Sequence, residues 1–159
     1  MRPALVLISV FLTSAPVVAQ GNTEHISTFS GQCDFTLPDL PTGPCEPGVM
    51  WMILKNGRSI VIFSYTGTEK KKATFSLSGG HDRQPKPEDY YLSIDTLGTQ
   101  WGGKQVPDLR VEGECHFNLN EEGTQYYYIK CTINNRKSGQ VFKFNLNNIS
   151  DFQTKSFNR

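Results

Sequence analysis

Beyond its first residues the chain has no long apolar run, no excess of charge of either sign, and little of the alanine and glutamate–lysine patterning that marks helices. Each shortfall excludes something. Without a further run able to cross ~30 Å of hydrocarbon, no transmembrane anchor is expected. Lys and Arg number 16 against 15 Asp and Glu, and the two balance once Arg2 is set aside, so nothing draws the chain to a polyanion and nucleic acid is not an expected partner. The one basic cluster, Lys70-Lys71-Lys72 beside Glu69, reads as a solvated turn.

Chemistry-bearing patterns are scarce as well. No two cysteines have the spacing of a zinc knuckle, no G-x-S-x-G nucleophile elbow occurs, and no glycine-rich loop opens onto a helix as phosphate binding would need. Neither a metal nor a cofactor is expected. The histidines are His25, His81 and His116. His81-Asp82 sits in a glycine-flanked loop, where adjacent residues seldom reach triad geometry, and His116 lies beside a cysteine on the face opposite the core. The carboxylate pairs Glu88-Asp89, Glu112 with Glu114, and Glu121-Glu122 read as solvated surface acids.

What is present begins with a secretory signal. Arg2 supplies the positive start, Ala4 to Leu12 the apolar stretch, and Val17-Val18-Ala19 the small residues before a cleavage expected between Ala19 and Gln20. The mature chain, 20–159, fits one domain, secreted or periplasmic.

A signature then occurs twice, as Gly31-Gln32-Cys33-Asp34-Phe35-Thr36-Leu37 and as Gly113-Glu114-Cys115-His116-Phe117-Asn118-Leu119. The same register aligns Thr42 with Thr124, Lys55 with Lys137 and Gly57 with Gly139, which suggests duplicated halves over 31–65 and 113–147. An oxidising compartment permits disulfides. Three pairings are formally open, and the repeat favours Cys33 with Cys45 and Cys115 with Cys131. Parity supports the second, since Phe117, Leu119, Tyr127, Ile129 and Ile133 would then share one apolar face.

Strands follow from alternation and turns. Val49 to Lys55 and Arg58 to Tyr65 flank Asn56-Gly57, a strong hairpin signal. Tyr126 to Asn134 and Gln140 to Leu146 flank Ser138-Gly139, while Ala73 to Leu77 and Tyr90 to Ile94 alternate as half-buried strands. The expected fold is all-β, an antiparallel sandwich or small barrel of about eight strands. Pro38, Pro41, Pro44 and Pro47 predict a stiff polyproline connector. Gly79 to Asp89 reads as an irregular loop, and the pattern fades after Ser150. Asn148-Ile149-Ser150 is an N-glycosylation acceptor in a eukaryotic setting.

The remaining signal is aromatic. Tyr126, Tyr128 and Lys130 are expected on an outward strip, Trp51 inward, and Trp101 in a flexible glycine-flanked loop. These residues, Trp101, Tyr126, Tyr128 and Lys130, form the expected binding set. The function they suggest is a non-enzymatic exported binding module, an inhibitor or surface-recognition protein with a protein or glycan ligand. Two rivals stand beside it. One is a small hydrolase of envelope or extracellular polysaccharide using Glu88 or Asp89 as acid, and the other is a structural envelope or matrix component held by sheet edges.

Overall fold

Apolar and polar residues alternate along most of the chain, and each such run forms an antiparallel strand. The computed structural model describes residues 23–67 and 72–157; the expected signal segment, Lys70 and Lys71 lie outside them. The strands are β1 (Thr23–Leu37), β2 (Leu40–Pro44), β3 (Gly48–Leu54), β4 (Ser59–Thr66), β5 (Lys72–Gly79), β6 (His81–Lys86), β7 (Asp89–Trp101), β8 (Lys104–Leu119), β9 (Tyr126–Asn134) and β10 (Val141–Ser156). There is no helix among the described residues.

The choice between sandwich and barrel is settled by β10 pairing with β1. That contact closes a ring running β1, β3, β4, β5, β7, β8, β9, β10. β2 and β6 are extensions: β2 continues the line of β3 along the end of β1, and β6 continues β5 along the start of β7. The interior is a packed core containing Phe29, Phe63, Phe117, Phe144, Leu77, Leu92 and Ile129. Trp51 points into it as expected, its ring 4.8 Å from that of Phe117. A barrel of this strand number is just wide enough for side chains to fill it. Apolar residues face in and polar residues face out, the inverse of a membrane-spanning barrel.

Both bridges form, Cys33 with Cys45 and Cys115 with Cys131, and no cysteine is free. Two disulfides point to an oxidising environment, extracellular or periplasmic. The two signature copies also share one burial pattern, with Cys33, Phe35 and Leu37 buried like Cys115, Phe117 and Leu119. Around the ring, β9 and β10 separate them on one side and β3, β4, β5 and β7 on the other, so no two-fold of the barrel relates them.

Four expectations are corrected. The proline-rich stretch contains strand β2, which pairs with β1 through Asp34↔Pro44 and Phe35↔Gly43. Proline is tolerated there because β2 lies at an edge where a missing N–H faces no partner. Gly79 to Asp89 is no irregular loop; it carries β6, paired with Tyr91, Leu92 and Ser93 of β7. The tail beyond Ser150 belongs to β10, with Phe29↔Phe152 and Ser27↔Thr154 in register. Its alternation is lost to inspection because residues 148–150 bulge out between the pairs Gln32↔Asn147 and Ser30↔Asp151, and Asn148 takes φ 50° there.

The fourth correction concerns Tyr126 and Tyr127. Asn118 pairs with Tyr128 but Leu119 pairs with Tyr126, so Tyr127 is an extra residue. The bulge reverses the parity. Tyr126 turns inward against Phe29 (5.0 Å) and Phe152 (4.7 Å), and Tyr127 is thrown outward, 44% exposed.

Candidate functional site

Parity places Tyr91 of β7, His116 of β8 and Lys130 of β9 on the outer wall, because Leu92, Cys115 and Ile129 beside them are buried. The ladder then brings them into one row: Arg83↔Tyr91, Tyr91↔His116 and His116↔Lys130 are direct partners. A second row, Asp89↔Asn118 and Asn118↔Tyr128, runs beside it.

The side chains stack in sequence. The Arg83 guanidinium lies 3.8 Å from the Tyr91 ring centre, Tyr91 and His116 are parallel at 4.2 Å, His116 meets Tyr128 edge-on at 5.2 Å, and the Lys130 ammonium is 4.4 Å from the Tyr128 ring. Each exposed cation–ring contact contributes roughly 0.5–1 kcal/mol and each cross-strand pair up to about 1 kcal/mol. The strip is therefore ordered before anything meets it.

Polar bonds hold the centre. His116 Nε2 lies 2.7 Å from Asp89 Oδ1, and the Tyr128 hydroxyl 3.4 Å from His116 Nδ1. Both contacts are satisfied when a neutral imidazole donates from Nε2 and accepts the Tyr128 hydroxyl at Nδ1. Asn118 Nδ2 donates to Asp89 Oδ1 (3.3 Å) and to the Glu88 carbonyl (3.2 Å), and Arg83 pairs with Glu114 at 3.1 Å.

The hydrogen bond from His116 holds the Asp89 carboxyl below its usual range, and Asn118 adds to it. Because the folded value is the lower one, this contact stabilises the barrel fully above the ordinary carboxylate range and is lost as pH falls through the folded value. Asp89→Asn should lower the urea midpoint at neutral pH, and its difference from wild type should shrink below about pH 4. A difference that stayed constant between neutral and acid pH would contradict the assignment.

The expected binding set is split by the fold. Tyr128 and Lys130 lie on the strip, and Tyr126 is turned away from it, half-buried against Phe29 at the margin of the core. Trp101 stands at the opposite end of β7 from Asp89, 39% exposed, paired with Lys104 across Gly102-Gly103. That segment is no flexible loop. Gly102 and Gly103 take φ 55° and 81°, the positive values of a two-residue hairpin turn.

Of the acids, Glu112 pairs with Arg136 at 2.6 Å, Glu114 with Arg83, and Glu121-Glu122 lie exposed between β8 and β9. His25 bonds Ser156 at 2.8 Å, and His81 is exposed at the start of β6. Sequence reading passed over Arg83, Tyr91, His116 and Asp89 as partners of Tyr128. The available signal was the outward parity of Tyr91 and His116; the register joining them was hidden. No family model matches this chain, and neither does any curated protein or solved structure.

Proposed function

We propose that the protein is an exported, non-enzymatic binding module, carried out by its 1–19 signal, that holds a protein partner against the strip from Arg83 to Lys130. The observation that supports this most is Tyr91, held between the guanidinium of Arg83 and the imidazole of His116 at 3.8 and 4.2 Å. A ring covered on both faces leaves no seat for a stacked sugar, whereas its edge and the flanking charges suit protein side chains. Tyrosine and arginine are the residue types that dominate interface energies, and side chains already ordered lose little entropy on association.

Two rival readings fare worse. A glycosidase acid must be protonated at its working pH, yet Asp89 is pushed the other way by His116. Assembly through sheet edges meets proline on three open stretches, Pro44 in β2, Pro85 in β6, and Pro107 in the start of β8, which β9 does not reach before Glu112↔Asn134; the end of β10, residues 151–156, pairs with β1 alone and is the open stretch without one among these. Proline offers no N–H to an incoming strand.

The test is capture from the native extracellular or periplasmic fluid, followed by affinity measurement on the captured partner. Tyr91→Ala should weaken binding by about thirtyfold, a loss of ~2 kcal/mol, and Trp101→Ala should leave it unchanged. Equal affinity of Tyr91→Ala and wild type would remove the strip from the interface.

A further inference from the structure

On the wall between β4 and β8 the outer surface is concave. A groove of about 510 Å³ is lined by Arg58, Ser76, Ser78, Thr96, Asp108 and Arg110. A second, of about 410 Å³, holds Asp95, Arg136 and Lys137, and the two meet at Arg110, so they form one track across the β7–β8 hairpin. The ladder is irregular here, with a register shift between Ile94 and Thr96. Such irregularities re-aim side chains.

The floor of the first groove is Gly98. A methyl group there would overlap the Ser76 hydroxyl and come within 3.2 Å of Asp108 Oδ1, so glycine is what allows those two polar groups to converge. Arg58 is fixed by a two-pronged contact with Asp95, at 2.6 and 3.1 Å, and by Ser78 at 3.1 Å. Arg136 is taken by Glu112. The side chains of Arg110 and Lys137, by contrast, make no hydrogen bond or ion pair among the described residues; Arg110 acts on Asp95 only through space.

We infer that this track binds an acidic oligosaccharide, a chain of uronate sugars whose carboxylates meet Arg110 and Lys137 while its hydroxyls bond Ser76, Ser78, Thr96 and Asp108. The volume of each groove is in the range of small-ligand sites, and the lining is hydroxyl-rich. Asp95, Asp108 and Glu112 repel a densely charged polyphosphate, but a uronide spaces its carboxylates with hydroxyl groups that Asp108 can accept from. An acidic peptide could supply carboxylates without that hydroxyl array. The site is separate from the aromatic strip and does not depend on it.

The experiment is a calorimetric and amide-shift titration of the oxidised protein with tetragalacturonate, with its methyl ester, and with a glutamate-rich peptide, at physiological salt. Tetragalacturonate should shift the amides of residues 95–98 and 108–110, and the methyl ester should bind at least about tenfold more weakly, the scale of losing charge-assisted hydrogen bonds. Arg110→Gln and Lys137→Gln, both exposed positions, should each weaken the uronide but not the ester, and Tyr91→Ala should bind as wild type. Equal binding of the ester or the peptide, an unaffected Arg110→Gln variant, or no shift at these amides would overturn the inference.

Discussion

Gly113→Ala should destabilise the barrel by about 3 kcal/mol or more, lowering its melting temperature by roughly 10 °C, the scale expected when a well-packed interior is forced to accept an extra methyl. Gly113 sits in β8 with Ile94 of β7 on one side and Ile133 of β9 on the other. An added methyl would overlap the Thr132 carbonyl oxygen and lie 2.6 Å from Ile133 Cα. Both are main-chain atoms of the adjoining strand, and neither can retreat without breaking the β8–β9 ladder. Gly48→Ala is the control, since its methyl would meet nothing within 4 Å and its backbone φ is not positive. That change should be neutral or stabilising by up to about 1 kcal/mol. A Gly113→Ala melt within a degree or two of wild type would show that β8 and β9 can separate at this point.

The two disulfides should differ in what their removal costs, and chain entropy is not the reason. Their sequence separations, 12 and 16, differ by only about 0.3 kcal/mol in the loop-closure estimate, on a base of ~3 kcal/mol each. Location decides. Cys115 and Cys131 are directly opposed in the ring, both fully buried, so the double alanine variant also leaves a void in the core. Cys45 is only half-buried and ties the edge strand β2, which pairs with β1 alone. Loss of the Cys115–Cys131 bridge should cost about 4–5 kcal/mol against ~2–3 kcal/mol for Cys33–Cys45. Urea denaturation of the two double alanine variants checks this. Equal losses would mean that the interior closes around the missing sulfur atoms.

Much of the barrel can be read from local rules. Asn56-Gly57 turns β3 into β4 because both residues tolerate turn geometry, with Gly57 at φ 78°. The runs at Ala73 to Leu77 and Tyr90 to Ile94 alternate as strands because one face is buried. Parity failed where a strand carries an extra residue. Tyr127 reverses its neighbour Tyr126, and the bulge at 148–150 disguises the end of β10.

The aromatic strip shows the same limit more sharply. Counting back from the Trp101↔Lys104 turn along a regular hairpin would set Tyr91 opposite Glu114. Two register shifts, between Ile94 and Thr96 and between Leu97 and Thr99, move it to His116 instead. The second falls where Gly98 faces Pro107-Asp108, residue types that mark a bulge, but the first, with Asp95 against Val111-Glu112, has no such mark. Stacking of Tyr91 on His116 is thus a product of the register.

The amino-acid order alone determined that this is an all-β chain and most of the residues that line its core, and it favoured the pairing of its cysteines as two neighbouring couples; alternation and turn chemistry act over a few residues and need no distant partner. Closure of β10 on β1, the row from Arg83 to Lys130, and the track around Arg110 were decided only in three dimensions. Each depends on strand registers set by bulges and by contacts between residues far apart in the chain, and those are free-energy differences of the whole packed barrel.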